Sequence, residues 1–181
     1  VKKNYIFFAI KGKKFNGENF IKQAIKNGAI LIVCSKKCNL ELTKFNILKV
    51  NNVRDYLSKI TARFYSHKPN KIFAVTGTNG KTSVAEFFYQ ILNINNIPVG
   101  CIATLGIKSK KFFFKNDLTT PDTINLHKNL EKFKRRKIDH VILEASSHGL
   151  DQKRLDNIDF KAGIFTNLSQ DHLDYHKNMK S

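Results

Sequence analysis

Residues 72–83 read IFAVTGTNGKTS, an apolar strand-like run that closes at Thr76 and passes into a glycine-bearing turn. Beyond the turn, Val84, Phe87, Phe88, Ile91 and Leu92 recur at the spacing of one helix face. Strand, Gly-rich loop and helix in that order are the context in which a loop cradles phosphate. Gly77 and Gly80 let backbone N–H groups converge on phosphate oxygens, and the helix N-terminus adds partial positive charge. Lys81 is placed to reach the outer phosphates and the Thr82 hydroxyl to meet Mg²⁺. The loop departs from the general pattern G-x-x-x-x-G-K-[ST], because position 75 is Val rather than Gly.

Outward from this loop the chain alternates strand-like and helix-like stretches. Downstream, Val99–Ala103, His140–Ala145 and Ala162–Asn167 read as strands, and Thr123–Lys137 as a basic helix. Upstream, Tyr5–Ile10, Ala29–Cys34 and Asn46–Val50 read as strands. Phe20, Ile21, Ala24 and Ile25 mark a helix stopped by Gly28, and Val53, Tyr56, Leu57, Ile60 and Phe64 mark one face of a longer one. The reading is an α/β protein with mostly parallel sheets, ligands gathering at the carboxyl ends of the strands. Ser66–Asn70 looks like a linker, which divides the chain into a small α/β unit at 1–67 and a P-loop unit at 68–181. No repeat is evident. Val1 and the stop at Ser181, just past a dense run of polar residues, read as the ends of a fragment.

With 181 residues, 41% hydrophobic and 25% charged, the chain falls in the globular class and is long enough to bury a sizeable core. A net charge of +18 raises nucleic acid as a partner, but 27 of the 32 basic residues are Lys, scattered among 19 Asn and 19 Ile, a mixture that AT-rich coding alone produces. No nucleic-acid motif accompanies it, so no nucleic-acid partner is expected. Distribution says more than the sum. Residues 1–67 carry 14 Lys+Arg against 3 Asp+Glu, whereas 139–174 carry 3 against 7, an acidic island that suggests a cation site. Cys34, Cys38 and Cys101 form neither a disulfide framework nor a zinc half-site and read as buried thiols. The longest apolar runs fall far short of the roughly 20 residues that span a bilayer, so no membrane insertion is expected and the protein reads as cytoplasmic.

Glu144 closes the apolar run 140–143, which puts a carboxylate at the carboxyl end of a strand, where a Mg²⁺ ligand belongs if the phosphate loop lies on a neighbouring strand. The stretch SSHGLDQKR (146–154) that follows suits a ligand-lining loop. In DHLDYH (171–176), His172 and His176 are spaced i, i+4 and invite a zinc reading, but no H-E-x-x-H glutamate lies between them. A single His beside a Mg²⁺-nucleotide is the better use.

Four stretches together, VTGTNGKTS (75–83), TTPD (119–122), EASSHGL (144–150) and FTNLSQDHLDYH (165–176), resemble the Mur ligase family, most closely the MurE type. FFAIKG (7–12) and the downstream NGEN extend the resemblance to that family's uridine-nucleotide domain. The resemblance implies ATP phosphates on Gly77, Thr78, Asn79, Gly80, Lys81, Thr82 and Ser83, and Mg²⁺ held by Thr82 and Glu144, with a second metal near His172. Lys81, Glu144 and His172 would carry the catalysis. It further implies a UDP-N-acetylmuramoyl dipeptide held by Thr119, Thr120, Ser146, Gln152 and Arg154 and by the loop Lys13–Phe15. The activity would join that acid to a third amino acid, meso-diaminopimelate or lysine, through an acyl phosphate in peptidoglycan synthesis. A carbamylated lysine and an amino-acid-binding domain would lie beyond Ser181, so residues 1–181 alone are expected to be inactive, and the full-length protein monomeric. Another Mur ligase, a folylpolyglutamate synthetase, or a nucleotide-binding module without ligation are the competing readings.

Overall fold

A computed structural model describes residues 1–13, 15–39, 45–171 and 173–177. Its contacts divide the chain into two compact units, Val1–Ile60 and Thr61–Ser181. In the first, strands β1 (Ile6–Phe8), β2 (Leu31–Ser35) and β3 (Ile47–Val50) form a parallel sheet in that order, with Ile6 opposite Leu31 and Ile32 opposite Ile47. A 3-10 turn (Gly17–Phe20) leads into helix α1 (Ile21–Lys26), whose Ile21 and Ala24 pack with Ala9, Ile32, Cys34 and Cys38. Burial and the neighbouring Cys38 push the Cys34 thiol up to about 11, and burial with Glu86 pushes Cys101 up to about 12. Both are therefore inert thiols, as buried cysteines outside an electropositive site are. Helix α2 (Val53–Phe64) follows, its amides at Arg54 and Asp55 capped by the Asn52 side chain.

The second unit holds strands β4 (Lys71–Thr76), β5 (Val99–Ala103), β6 (Gly106–Ser109), β7 (Phe112–Phe114), β8 (His140–Glu144) and β9 (Phe160–Phe165), in the spatial order β7-β6-β5-β8-β4-β9. Strands β5, β8, β4 and β9 are parallel, and β6 and β7 add an antiparallel edge. Period-two alternation sorts β8 into two cores. Val141 and Leu143 face Leu126, Leu130 and Phe133 of helix α4 (Thr123–Arg135), while Ile142 faces Ala85 of helix α3 (Lys81–Ile94). Asp122 starts α4 by accepting the N–H groups of Ile124 and Asn125.

Three findings differ from the sequence reading. The β6–β7 hairpin was not expected, because Lys108, Lys110 and Lys111 break the alternation there; Lys108 is half-buried against Glu86 at 2.7 Å. The apolar arc of α3 is wider than the surface it meets, so Phe87 and Ile91, which share the apolar helical spacing, stand 61% and 58% exposed. Residues 147–151 form a one-turn helix, α5 (Ser147–Asp151), rather than a plain loop. A last short helix, α6, covers Leu173–His176. Among the described residues no helix is long and apolar enough to cross a membrane.

Candidate active site

The carboxyl ends of β4, β8, β5 and β9 deliver, side by side, the phosphate loop, Glu144, Thr104 and the segment 166–169. Val75, which breaks the general loop pattern, is fully buried in β4 and accepts the Ala145 N–H at 2.8 Å. The sharp departure from the strand falls to Gly77, at φ 133°. A Cβ there would be driven into Thr166 Oγ1 and the Asn167 carbonyl, so only glycine fits. Gly80, at φ 83°, forms the N-cap of α3.

The segment after β9 props the loop. Thr78 N–H donates to the Asn167 carbonyl at 2.9 Å and Asn79 N–H to Asn167 Oδ1 at 3.0 Å, while Thr166 Oγ1 donates to the Asn79 carbonyl at 2.7 Å. The Thr78 and Asn79 amides therefore serve the loop's own support. Val84 N–H makes the first helical bond back to Gly80, which leaves the N–H groups of Lys81, Thr82 and Ser83 for a ligand at the positive end of the α3 dipole. Lys81 Nζ arches over the loop and donates to the carbonyls of Gly77 at 2.7 Å and Thr78 at 2.8 Å. An ammonium has three protons, so this pose keeps one for an incoming oxygen.

Glu144 is 1% exposed, yet its carboxylate has no cationic partner within 4 Å among the described residues. Thr104 holds it instead, N–H to Oε1 at 2.9 Å and Oγ1 to Oε2 at 3.2 Å. Thr104 Oγ1 also lies 3.1 Å from Thr119 Oγ1. Thr78 to Ser83, Thr104, Thr119 and Glu144 line one cavity of about 350 Å³. One buried carboxylate beside hydroxyl oxygens and a phosphate cradle fits Mg²⁺, which takes one or two carboxylates plus substrate phosphate rather than a full protein cage. No cluster of three His, Cys, Asp or Glu that could hold a metal occurs among the described residues.

A second cavity, of about 440 Å³, shares Thr78, Lys81 and Thr119 with the first. Its polar wall is Thr119, Thr120, Ser146, His148, Arg154 and Asp171, and its apolar wall includes Leu118, Leu150 and Phe165. Thr120 is fully buried and its hydroxyl is spoken for: it donates to the Glu144 carbonyl at 2.7 Å and accepts the Ser146 N–H at 2.9 Å. Ser146 caps α5 through the Gly149 N–H at 3.1 Å. Arg154 Nη1 donates to the Thr120 carbonyl at 2.6 Å, and its Nε and Nη2 donate to Gln152 Oε1 at 3.2 and 2.8 Å.

Of the residues singled out in the sequence, Lys81, Thr82, Ser83, Glu144 and Thr119 meet around the smaller cavity, and Lys81, Thr119, Thr120, Ser146 and Arg154 around the larger. Gln152 lines neither and instead orients Arg154. His172 and Lys14 lie outside the described residues; His176 does line the larger cavity. Sequence reading gave no role to Thr104, which carries no spacing signal, nor to Thr166 and Asn167, which it quoted only as part of the stretch 165–176; all three act here through tertiary contacts.

Residues 75–181 match the Mur ligase middle domain, and residues 1–65 match the Mur ligase family catalytic domain. The chain belongs to the Mur ligase family. It is 42% identical over 176 residues to the UDP-N-acetylmuramoyl-L-alanyl-D-glutamate–2,6-diaminopimelate ligase of Brucella melitensis, covering 97% of this chain and 36% of that protein. It is 43% identical over 180 residues to the ligase of the same name from Zymomonas mobilis, covering 99% of this chain and 37% of that one. A solved structure of a UDP-N-acetylmuramoyl-L-alanyl-D-glutamate–2,6-diaminopimelate ligase superposes with a TM-score of 0.80 at 28% identity, over 99% of this chain and 37% of that one. The Mur ligase chain therefore spans little more than a third of the length of these relatives.

Proposed function

We propose that this chain supplies the nucleotide-binding and acid-activating part of a Mur ligase of the MurE type, which joins UDP-N-acetylmuramoyl-L-alanyl-D-glutamate to a diamino acid in peptidoglycan synthesis. The observation that carries the reading is the position of Lys81, between a phosphate-and-cation cavity and an acid-binding cavity, with Thr78 and Thr119 also lining both. A carboxylate is a poor electrophile. The ATP phosphates would lie on residues 77–83, with Mg²⁺ held by Thr82 and Glu144, where it would offset phosphate charge; His172, outside the described residues, is the candidate for a further metal. In the larger cavity Thr119, Ser146 and Arg154 hold the acid, Thr120 fixing Ser146 and Gln152 fixing Arg154 from behind, and the forked guanidinium suits its carboxylate or phosphate.

A substrate carboxylate oxygen forms a bond to the γ-phosphorus while the β–γ bridging bond breaks and ADP leaves. The amine of the incoming amino acid then bonds to the acyl carbon, loses a proton, and inorganic phosphate departs. Lys81 neutralises charge on the transferring group, which needs positioning and electrostatics more than covalent help. Residues 1–67 hold the uridine nucleotide and 68–181 the ATP. The amino acid is meso-diaminopimelate or lysine, and the names of the relatives favour the former. The protein works in the cytoplasm as a monomer.

The test is to incubate a protein of the relatives' length containing these residues with ATP, Mg²⁺, the UDP-muramoyl dipeptide and 2,6-diaminopimelate. Mass spectrometry should find the amide product, with ADP and phosphate released one for one. Turnover with a folate in place of the UDP-sugar, or ATP hydrolysis without amide, would overturn the reading.

A further inference from the structure

We propose that Tyr175 is a positioning residue for the acid-binding cavity: through its hydroxyl it fixes the amide of Gln152 and, through that amide, the guanidinium of Arg154. The inference rests on the reading of that cavity given above. Tyr175 lies in α6, Asp151 and Gln152 at the end of α5, and Arg154 two residues beyond. A phenol has one proton to give. Tyr175 donates it to Asp151 Oδ2 at 2.6 Å, and the hydroxyl oxygen accepts Gln152 Nε2 at 3.1 Å.

The carboxylate can only accept, so it sets the direction of the whole chain. With Nε2 drawn to Tyr175, Gln152 must turn Oε1 toward Arg154, where it receives Nε at 3.2 Å and Nη2 at 2.8 Å. The flipped amide would set donors against donors, because a guanidinium has no acceptor. From Arg154 the path continues by Nη1 to the Thr120 carbonyl and by Thr120 Oγ1 to the Glu144 carbonyl. One phenolic hydroxyl thus fixes, through Gln152, the Nε and Nη2 edge of a long side chain whose Nη1 is held by the Thr120 carbonyl. Replacing Tyr175 with Phe keeps the ring, which packs 4.0 Å from that of His148, and deletes only the hydroxyl.

In the protein of full length, Tyr175→Phe should raise KM for the UDP-muramoyl dipeptide about tenfold, with KM for ATP and kcat within about twofold. In a Gln152→Ala background the same change should add less than about twofold, since the relay is already cut. An unchanged KM for the acid, an equal rise for both substrates, or the same factor in the Gln152→Ala background would overturn the inference. A wild type that makes no amide defeats the functional reading instead. The relay then still stands or falls on Arg154 Nε–H exchange by NMR: about tenfold or more protection in the wild type, lost in Tyr175→Phe, supports it, and equal exchange in the two overturns it.

Discussion

The two cavities that meet at Lys81 are built by different means. The smaller is made almost wholly of backbone turn and hydroxyls contributed by one contiguous stretch, residues 78–83, closed by Glu144, Thr104 and Thr119. The larger draws on several separate places in the chain, from the phosphate loop to His176, and its polar side chains are held by one another and by backbone groups of other elements. A site that grips a repeating chemical unit such as phosphate can be encoded locally, because converging N–H groups need only a turn and a helix start. A site that recognises one particular acid must collect side chains from several elements.

Four experiments on the full-length protein would break or sharpen that contrast. Lys81→Ala removes the group common to both cavities and should lower kcat about a thousandfold, read as phosphate release, with protein stability unchanged. A loss of less than tenfold would mean the cavities act separately. Glu144→Gln keeps the Thr104 N–H bond to Oε1, reverses the one at Thr104 Oγ1 so that the amide donates, and removes the charge; activity should fall about a hundredfold and the Mg²⁺ concentration for half-maximal rate should rise.

Acid separates site titration from global loss. His127 is fully buried in α4, and burial together with Lys68 lowers its pKa from 6.5 to about 4. A lowered pKa for a base means the unfolded chain binds the proton first, so the stability is fully present above 6.5 and declines as pH falls toward 4. At pH 5 the loss should be about 2 kcal/mol, measured by urea unfolding, and His127→Leu should abolish that part of the pH dependence. Smallest is Arg154→Lys, which keeps charge but cannot reach Gln152 Oε1 and the Thr120 carbonyl together. KM for the acid should rise about tenfold while KM for ATP holds. A rise confined to ATP would reverse the assignment of the cavities.

The phosphate loop was legible because its glycines, lysine and hydroxyls fall at fixed spacings between an apolar strand and a helix. The strands β4, β5 and β8 were legible for a related reason: buried on both faces, they read as unbroken apolar runs. The β6–β7 hairpin was not, since Lys108 points along α3 to Glu86 and so places a charge where alternation demands an apolar residue. Nor could the helical spacing of α3 say how wide a surface it would meet, which left Phe87 and Ile91 outside the core.

By itself the sequence determined that this is an α/β chain with a glycine-bearing turn between strand and helix and an acidic strand end, because periodicity and local turn chemistry depend only on near neighbours. Its motifs also carried the family. Only the tertiary structure decided that Thr104 rather than a cation steadies Glu144, that Asn167 props the loop, and that Gln152 serves Arg154 instead of facing the cavity. Most of those are hydrogen bonds between residues far apart in the chain, 88 positions for Asn79 with Asn167 and 40 for Thr104 with Glu144, and their partners are chosen by strand order and burial, which no local spacing contains.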